Sequence, residues 1–297
     1  MLTTRRFPFQ SHSFAASLLV AASLLGMTVT TAGAVNTPPD KSTNSVAPHR
    51  AVYDLDLKES LSSANITDAN GRMVFEVTGS KCEGYLVNMR FILSVLDNKG
   101  ITNVTDVRSS SWEDGSAEQF RFNTSQYFNQ KLSKTTVGNA KRKEQGEGIS
   151  VSVDSPKKTK ANFTQKTYFP TEHTILVIEE ALKGKRIVNA PIYDGSENGN
   201  TLYNTTAIIG KKVAADEFVN TSKVKNIEAL KDMASWPVAI AFFDTRKGDK
   251  QDLLPDYEIS FRLFANGVSR KLLVDYGDFS LNGKLKEIEF LPETQCD

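Results

Sequence analysis

The stretch Pro255-Asp256-Tyr257-Glu258-Ile259-Ser260-Phe261-Arg262-Leu263-Phe264-Ala265-Asn266-Gly267 decides the fold. Tyr257, Ile259, Phe261 and Leu263 fall on one side of a period-two strand, with Glu258, Ser260 and Arg262 on the other. Asn266-Gly267 is the dipeptide that best tolerates positive φ, so it predicts a tight hairpin. The chain is expected to return through Arg270, Leu272, Val274 and Tyr276, pass Gly277 and turn again at Asn282-Gly283. A last strand over Leu285 to Leu291 then leads to Cys296. This is the pattern of an antiparallel meander.

The first 34 residues read as an export signal. Arg5 and Arg6 form a positive start, Phe14 to Met27 is a short uncharged apolar run, and Ala32-Gly33-Ala34 fits the small-x-small cleavage rule. The run is shorter than the roughly 20 residues that a membrane span needs. No cysteine follows it, which leaves out a bacterial lipid anchor. The full chain carries 36 Lys and Arg against 35 Asp and Glu, and Arg5 and Arg6 would leave with the leader. That balance argues against nucleic acid or a strongly anionic surface as the main partner.

An exported chain with two cysteines reads as one with a single disulfide, Cys82 to Cys296, formed in an oxidising compartment. Two free, buried thiols are the other arrangement this count allows. Val35 to Ala47 is rich in Pro, Thr, Ser and Asn without periodicity, so 35–48 is expected to be a flexible leader to a single domain over 49–297.

From His49 onward the alternation keeps returning. Strands are expected around Ala51–Leu57, Met73–Cys82, Tyr85–Leu96, Thr102–Trp112, Ala117–Tyr127 and Gly148–Val153, with a hairpin turn at Asp114-Gly115. Lys141-Arg142-Lys143 and Lys157-Lys158-Thr159-Lys160 read as solvated edges that discourage strand-to-strand aggregation. One helix interrupts the strands. Pro170-Thr171 offers its start, Glu172 suits the first turn, Ile175, Ile178 and Leu182 share a face, and Gly184 stops it. A strand over Arg186 to Tyr193 holds Pro191, which marks an edge or a bulge. Asp194 to Gly199 is turn-rich, Thr201 to Ile209 is a strand, and Asn226 to Ala234 is a second, short helix. Trp236-Pro237 enters Val238 to Phe243, an apolar run expected to be buried on both sides. Mainly β structure with one or two short helices implies one curled antiparallel sheet.

Catalytic chemistry finds little to stand on. Beyond His12 in the leader, only His49 and His173 remain, and each has an ordinary packing role available. No Gly-x-Ser-x-Gly elbow, phosphate loop, dinucleotide fingerprint or zinc-spaced Cys and His pair is present. Asp194, Asn198 and Gly199 match part of a calcium loop, but Thr205 stands where the closing glutamate belongs, so a connecting loop is the better reading. We therefore expect no metal, no cofactor and no enzymatic activity. His173, Glu172 and Trp236 remain as candidate groove or interaction positions.

The chain resembles the EipB family of cell-envelope integrity proteins. The resemblance rests on His49-Arg50-Ala51-Val52-Tyr53-Asp54-Leu55, Lys81-Cys82-Glu83-Gly84-Tyr85, Phe169-Pro170-Thr171-Glu172-His173-Thr174 and Tyr193-Asp194-Gly195-Ser196. It continues through Trp236-Pro237-Val238, Pro255 to Phe261, Asn266 to Arg270, Asp275 to Phe279 and Cys296. It implies a periplasmic antiparallel sheet wound into a spiral or open barrel, similar in shape to the bacterial lipoprotein carriers. It also implies a non-catalytic role against envelope stress, with a tetratricopeptide-repeat protein of the periplasm as partner. A second expectation is a carrier holding a lipid or other acyl chain, or a cell-wall ligand, in the groove of the curled sheet, with Phe120, Phe122, Tyr127, Phe128, Phe242 and Phe243 as candidate lining. A hydrolase is the third class, testable at His173 and Glu172.

Overall fold

A computed structural model describes residues 45–144, 148–213, 224–247, 254–293 and 296. The expected signal segment and residues 35–44 of the expected leader lie outside the described residues. Residues 45–48 are part of the domain: Val46 and Ala47 are buried, and the Ala47 N–H donates to the Asn266 carbonyl at 3.0 Å.

The strands are β1 (His49–Ser60), β2 (Ile66–Ser80), β3 (Gly84–Asp97), β4 (Thr102–Glu113), β5 (Gln119–Phe128), β6 (Lys131–Arg142), β7 (Ile149–Ser155) and β8 (Thr159–Phe163). Helix α1 (Pro170–Leu182) follows, then β9 (Ile187–Ile192), β10 (Tyr203–Ile209), β11 (Ser235–Asp244), β12 (Tyr257–Phe264), β13 (Ser269–Asp275) and β14 (Phe279–Phe290). All fourteen strands form one sheet in the order β8-β7-β6-β5-β4-β3-β2-β1-β14-β13-β12-β11-β10-β9. Every pairing within it is antiparallel. Two meanders thus meet at the centre, where the first strand pairs with the last through Tyr53 opposite Leu285. The expected class, a mainly β antiparallel sheet with a helix, is what the chain forms.

A twisted sheet this wide has to curl. It curls without closing, because β8 and β9 do not pair. Helix α1 makes the crossing between these two edges. Just before it, the Tyr168 N–H donates to the Pro191 carbonyl and the Tyr193 N–H to the Tyr168 carbonyl, which covers the edge of β9. Pro191 is therefore on an edge strand, as its missing N–H requires.

Period-two alternation places the core. On β3, Tyr85, Val87, Met89, Phe91 and Leu93 are buried while Arg90 between them is exposed. Helix α1 buries Val177, Ile178 and Ala181 against Val188, Ala190, Trp236 and Val238. A second cluster joins Phe120, Phe122, Val151, Val153, Phe169 and Tyr193.

Several expectations change. The chain turns at Gly277, with φ of +82°, and not at Asn282-Gly283, which lie inside β14. Gly283 serves close approach there: a Cβ would meet the Leu272 Cβ at 2.8 Å. Strands β6 and β8 were not expected, because Thr135, Thr136, Gly138 and Ala140 give no apolar alternation; Gly138 is required opposite Phe122, whose ring a Cβ would meet at 2.6 Å. The buried face of α1 is Val177, Ile178 and Ala181, and Leu182 is exposed, since the helix starts at Pro170 and its phase is set by the sheet below. Strand β11 alternates and is not buried on both sides, because only one face meets α1. Residues 226–234 hold only a short 3-10 turn, Ile227–Leu230.

Candidate functional site

The first turn of α1 brings together a buried carboxylate and a partly buried ion pair. Glu113, at the end of β4, is 2 % exposed, and its two carboxylate oxygens accept the N–H groups of Thr171 and Glu172, each at 2.7 Å. The free N–H groups of a helix start attract an acceptor, and a negative charge suits the dipole. A residue from another strand thus supplies the cap that Thr171 was expected to provide. Burial pushes the Glu113 carboxyl up to about 7, against the pull of those two N–H donors.

Glu172 completes the turn. Its Oε2 accepts the Phe169 N–H at 3.1 Å and the Arg142 guanidinium at 2.9 Å. Arg142 also donates to the Ala117 carbonyl at 3.0 Å and the Thr167 carbonyl at 2.9 Å, with its guanidinium 5.3 Å from the Phe169 ring centre. Burial raises the Glu172 carboxyl and Arg142 opposes this. Arg142 is thus no solvated edge residue. The expectation for Lys141-Arg142-Lys143 is corrected at its middle member, which alternation turns inward.

His173 points elsewhere. It is buried, with Nε2 2.9 Å from the Thr205 hydroxyl, which itself donates to the Ala190 carbonyl at 2.6 Å. The single hydroxyl hydrogen of Thr205 is committed, so Nε2 carries the proton and donates. Burial lowers the His173 pKa to about 4. His49 is held alike: its Nδ1 donates to the Ala47 carbonyl at 2.7 Å, and burial takes it to about 4 against the pull of that bond.

Trp236 does not join this group. It lines a hollow of about 220 Å³ with Ala181, Leu182, Gly184, Lys185 and Arg186 at the far end of the helix. By the helical rise, Ala181 lies roughly 14 Å along the axis from Glu172. The three candidate positions therefore divide into Glu172 and His173 on adjacent but differently directed residues, and Trp236 apart. A second hollow, about 410 Å³, lies on the outer face and is lined by Arg50, Glu76, Asn88, Arg90, Arg108 and Tyr127 among others. Its Arg90 and Arg108 both bond Asp106, at 2.9 and 2.8 Å.

Chemically, the helix start is a set of satisfied structural bonds. The His173–Thr205 pair has the residue types of a base and a nucleophile, but both are buried and neither lines the two hollows described. Among the described residues, no group of three His, Cys, Asp or Glu could hold a metal ion. In the 194–199 loop, the Asp194 Oδ1 accepts the Ser196 N–H at 2.9 Å, a turn-forming bond. Glu113, Arg142 and Thr205 were not legible as site residues, because β4, which ends at Glu113, is mostly polar and gives that carboxylate no contrast.

Cys82, in the β2–β3 turn near Glu113, and Cys296 are joined by a disulfide, their Cα atoms 5.7 Å apart. Among the described residues, no helix is long and apolar enough to cross a membrane.

The comparisons bear on the whole of this architecture. The chain matches the EipB-like family model over residues 40–292. It is 36 % identical over 271 residues to the cell envelope integrity protein EipB of Brucella abortus, covering 91 % of this chain and 94 % of that protein. Its structure is similar to the crystal structure of a beta-barrel-like protein of a domain of unknown function from Brucella abortus, with a TM-score of 0.74 and 33 % identity over 84 % of this chain and 99 % of the other. The chain belongs to the EipB-like family.

Proposed function

We propose that the protein is a non-catalytic component of the cell envelope, working in the periplasm to keep the envelope intact through contacts with other proteins. The observation that carries this is the 36 % identity, over nearly the whole chain, to a protein named for cell envelope integrity. The buried chemistry supports it: Glu113, Glu172, His173 and His49 are each engaged in bonds that hold the fold. The export-type leader and the disulfide agree with an oxidising compartment. A periplasmic tetratricopeptide-repeat protein is the proposed partner.

Deleting the gene in its host should raise sensitivity to bile-type detergents and cell-wall antibiotics. The full chain should restore resistance, and so should His173→Gln, which keeps a donor near the Nε2 position. Restoration by the first and failure by a folded, stable second would count for catalysis. Unchanged sensitivity on deletion would sink the envelope role.

A carrier reading is favoured by one feature. Tyr203, Phe242, Tyr257, Tyr276 and Phe279 form a continuous aromatic row across the half of the sheet that holds α1, with Phe242 and Tyr257 stacked at 4.4 Å. Such a row could seat an acyl chain. Native mass spectrometry of gently released protein should then show mass beyond the polypeptide; bare polypeptide mass would retire this second reading.

A further inference from the structure

Among the described residues, four of the eight exposed large apolar side chains gather on neighbouring turns at one end of the sheet. The β1–β2, β3–β4, β5–β6 and β7–β8 connections all project from that end, because alternate strands of a meander begin where their neighbours finish. On it stand Leu61, Ile101, Phe128 and Leu132, 57, 54, 47 and 59 % exposed. Ile101, Phe128 and Leu132 lie on adjacent turns that are bonded together. The Asn129 side chain accepts the Val104 N–H at 2.8 Å and donates to the Asn103 side chain at 3.0 Å, and the Asn129 N–H donates to the Val104 carbonyl at 2.8 Å. The patch is thus built and not a fraying tip.

Charge singles out the same arc. Lys99, Lys131, Lys157, Lys158 and Lys160 are exposed on or beside these turns, and none has an ion-pair partner among the described residues. The carboxylates beside them are Asp68, Asp97 and Asp154, and Asp97 is engaged with the N–H groups of Lys99 and Ile101. The other arc has the other sign: Asp244, Asp256, Asp275 and Asp278 stand there with Arg246 and Lys247, while Glu197 lies between the two arcs, its carbonyl accepting the Thr136 hydroxyl of β6 at 3.2 Å. Lysines on the β8 edge also block strand pairing. Lys99 and Lys131, however, sit on turns between interior strands, where there is no edge to protect.

Projecting turns of apolar tips ringed by lysines do not make the pocketed, closely packed centre that dominates protein interfaces. They match an anionic bilayer surface, where apolar side chains enter the headgroup boundary and lysines rest on lipid phosphates. We infer that the β3–β8 arc of this rim docks the protein on an anionic lipid bilayer, with Ile101, Phe128 and Leu132 entering the headgroup region. The acidic arc then stays clear of the surface, which sets the orientation.

The test uses protein purified from cells expressing the full chain, sedimented with vesicles of phosphatidylethanolamine containing a quarter phosphatidylglycerol, or of phosphatidylcholine, at low salt. Binding to the first and little to the second is expected. Each lysine at an anionic surface raises association about five-fold, so Lys131→Gln with Lys157→Gln and Lys158→Gln should weaken it about 100-fold. Phe128→Ser with Leu132→Ser should weaken it at least about ten-fold. Ile187→Ser with Ile208→Ser, an exposed pair at the other end, should leave it unchanged. Thermal melts show that each variant is folded. No binding to the anionic vesicles, binding that survives the rim substitutions, or equal loss in the Ile187 and Ile208 control would overturn the proposal; retained leader would reveal itself as the second of these.

Discussion

The carboxylate of Glu113 receives the Thr171 N–H at 2.7 Å across 58 positions of sequence. This contact ties the end of β4 to the element that crosses between the two free edges. It places a titratable group, almost fully buried, at the joint of the spiral.

That joint should weaken with rising pH. The Glu113 carboxyl has its pKa raised from 4.5 to about 7 by burial, so its contribution is complete below pH 4.5 and is lost as pH rises through about 7. The full shift corresponds to about 3 kcal/mol. Urea titrations of wild type and Glu113→Gln across this window should show the stability gap between them narrowing as pH rises. A gap that widens would contradict the assignment.

The histidines act in the opposite sense. Burial lowers His49 and His173 from 6.5 to about 4, so their contribution is present above pH 6.5 and lost as pH falls through about 4. Each shift corresponds to at most about 3 kcal/mol. His173→Gln should therefore lose less stability than wild type between pH 6.5 and 4, measured by denaturant midpoints. Because Glu113 slopes the other way over much of this range, only single-site variants separate the effects.

The disulfide spans a sequence separation of 214. Chain entropy gives an upper value of about 5 kcal/mol for closing a loop this long. Cys82→Ser with Cys296→Ser should lower the urea midpoint accordingly while retaining the strand signature in far-ultraviolet circular dichroism. A midpoint unchanged from wild type would show that β1–β14 pairing alone secures the end of the chain.

Gly283 and Gly277 should respond differently to substitution. Gly283→Ala drives a methyl toward Leu272 and should cost about 1–3 kcal/mol. Gly277→Asn meets nothing within 4 Å and keeps a residue that tolerates the left-handed region, so it should cost less than ~1 kcal/mol. Equal thermal destabilisation by the two would refute the distinction.

Much of the sheet was legible because its signals are local. Tyr257 to Leu263 alternate, and Asn266-Gly267 turns the chain, with Gly267 at φ of +85°. Asn282-Gly283 carries the same local signal and misleads, because the neighbouring strand β13 needs a residue without a side chain opposite Leu272. The candidate site was legible only in part. Glu172 and His173 could be picked out as polar residues at a helix start, whereas Arg142 was hidden inside a run of lysines.

The sequence by itself determined that the chain would form antiparallel strands, break once for a helix at Pro170, and offer a single pair of cysteines. These follow from periodicity, backbone preference and count, each readable within a short window. Only the tertiary structure decided that β1 lies beside β14, that the edges stay open, and that Glu113 caps a helix 58 positions away. Those outcomes depend on which surfaces meet in space, and the burial that sets a charge's role exists only after they have met.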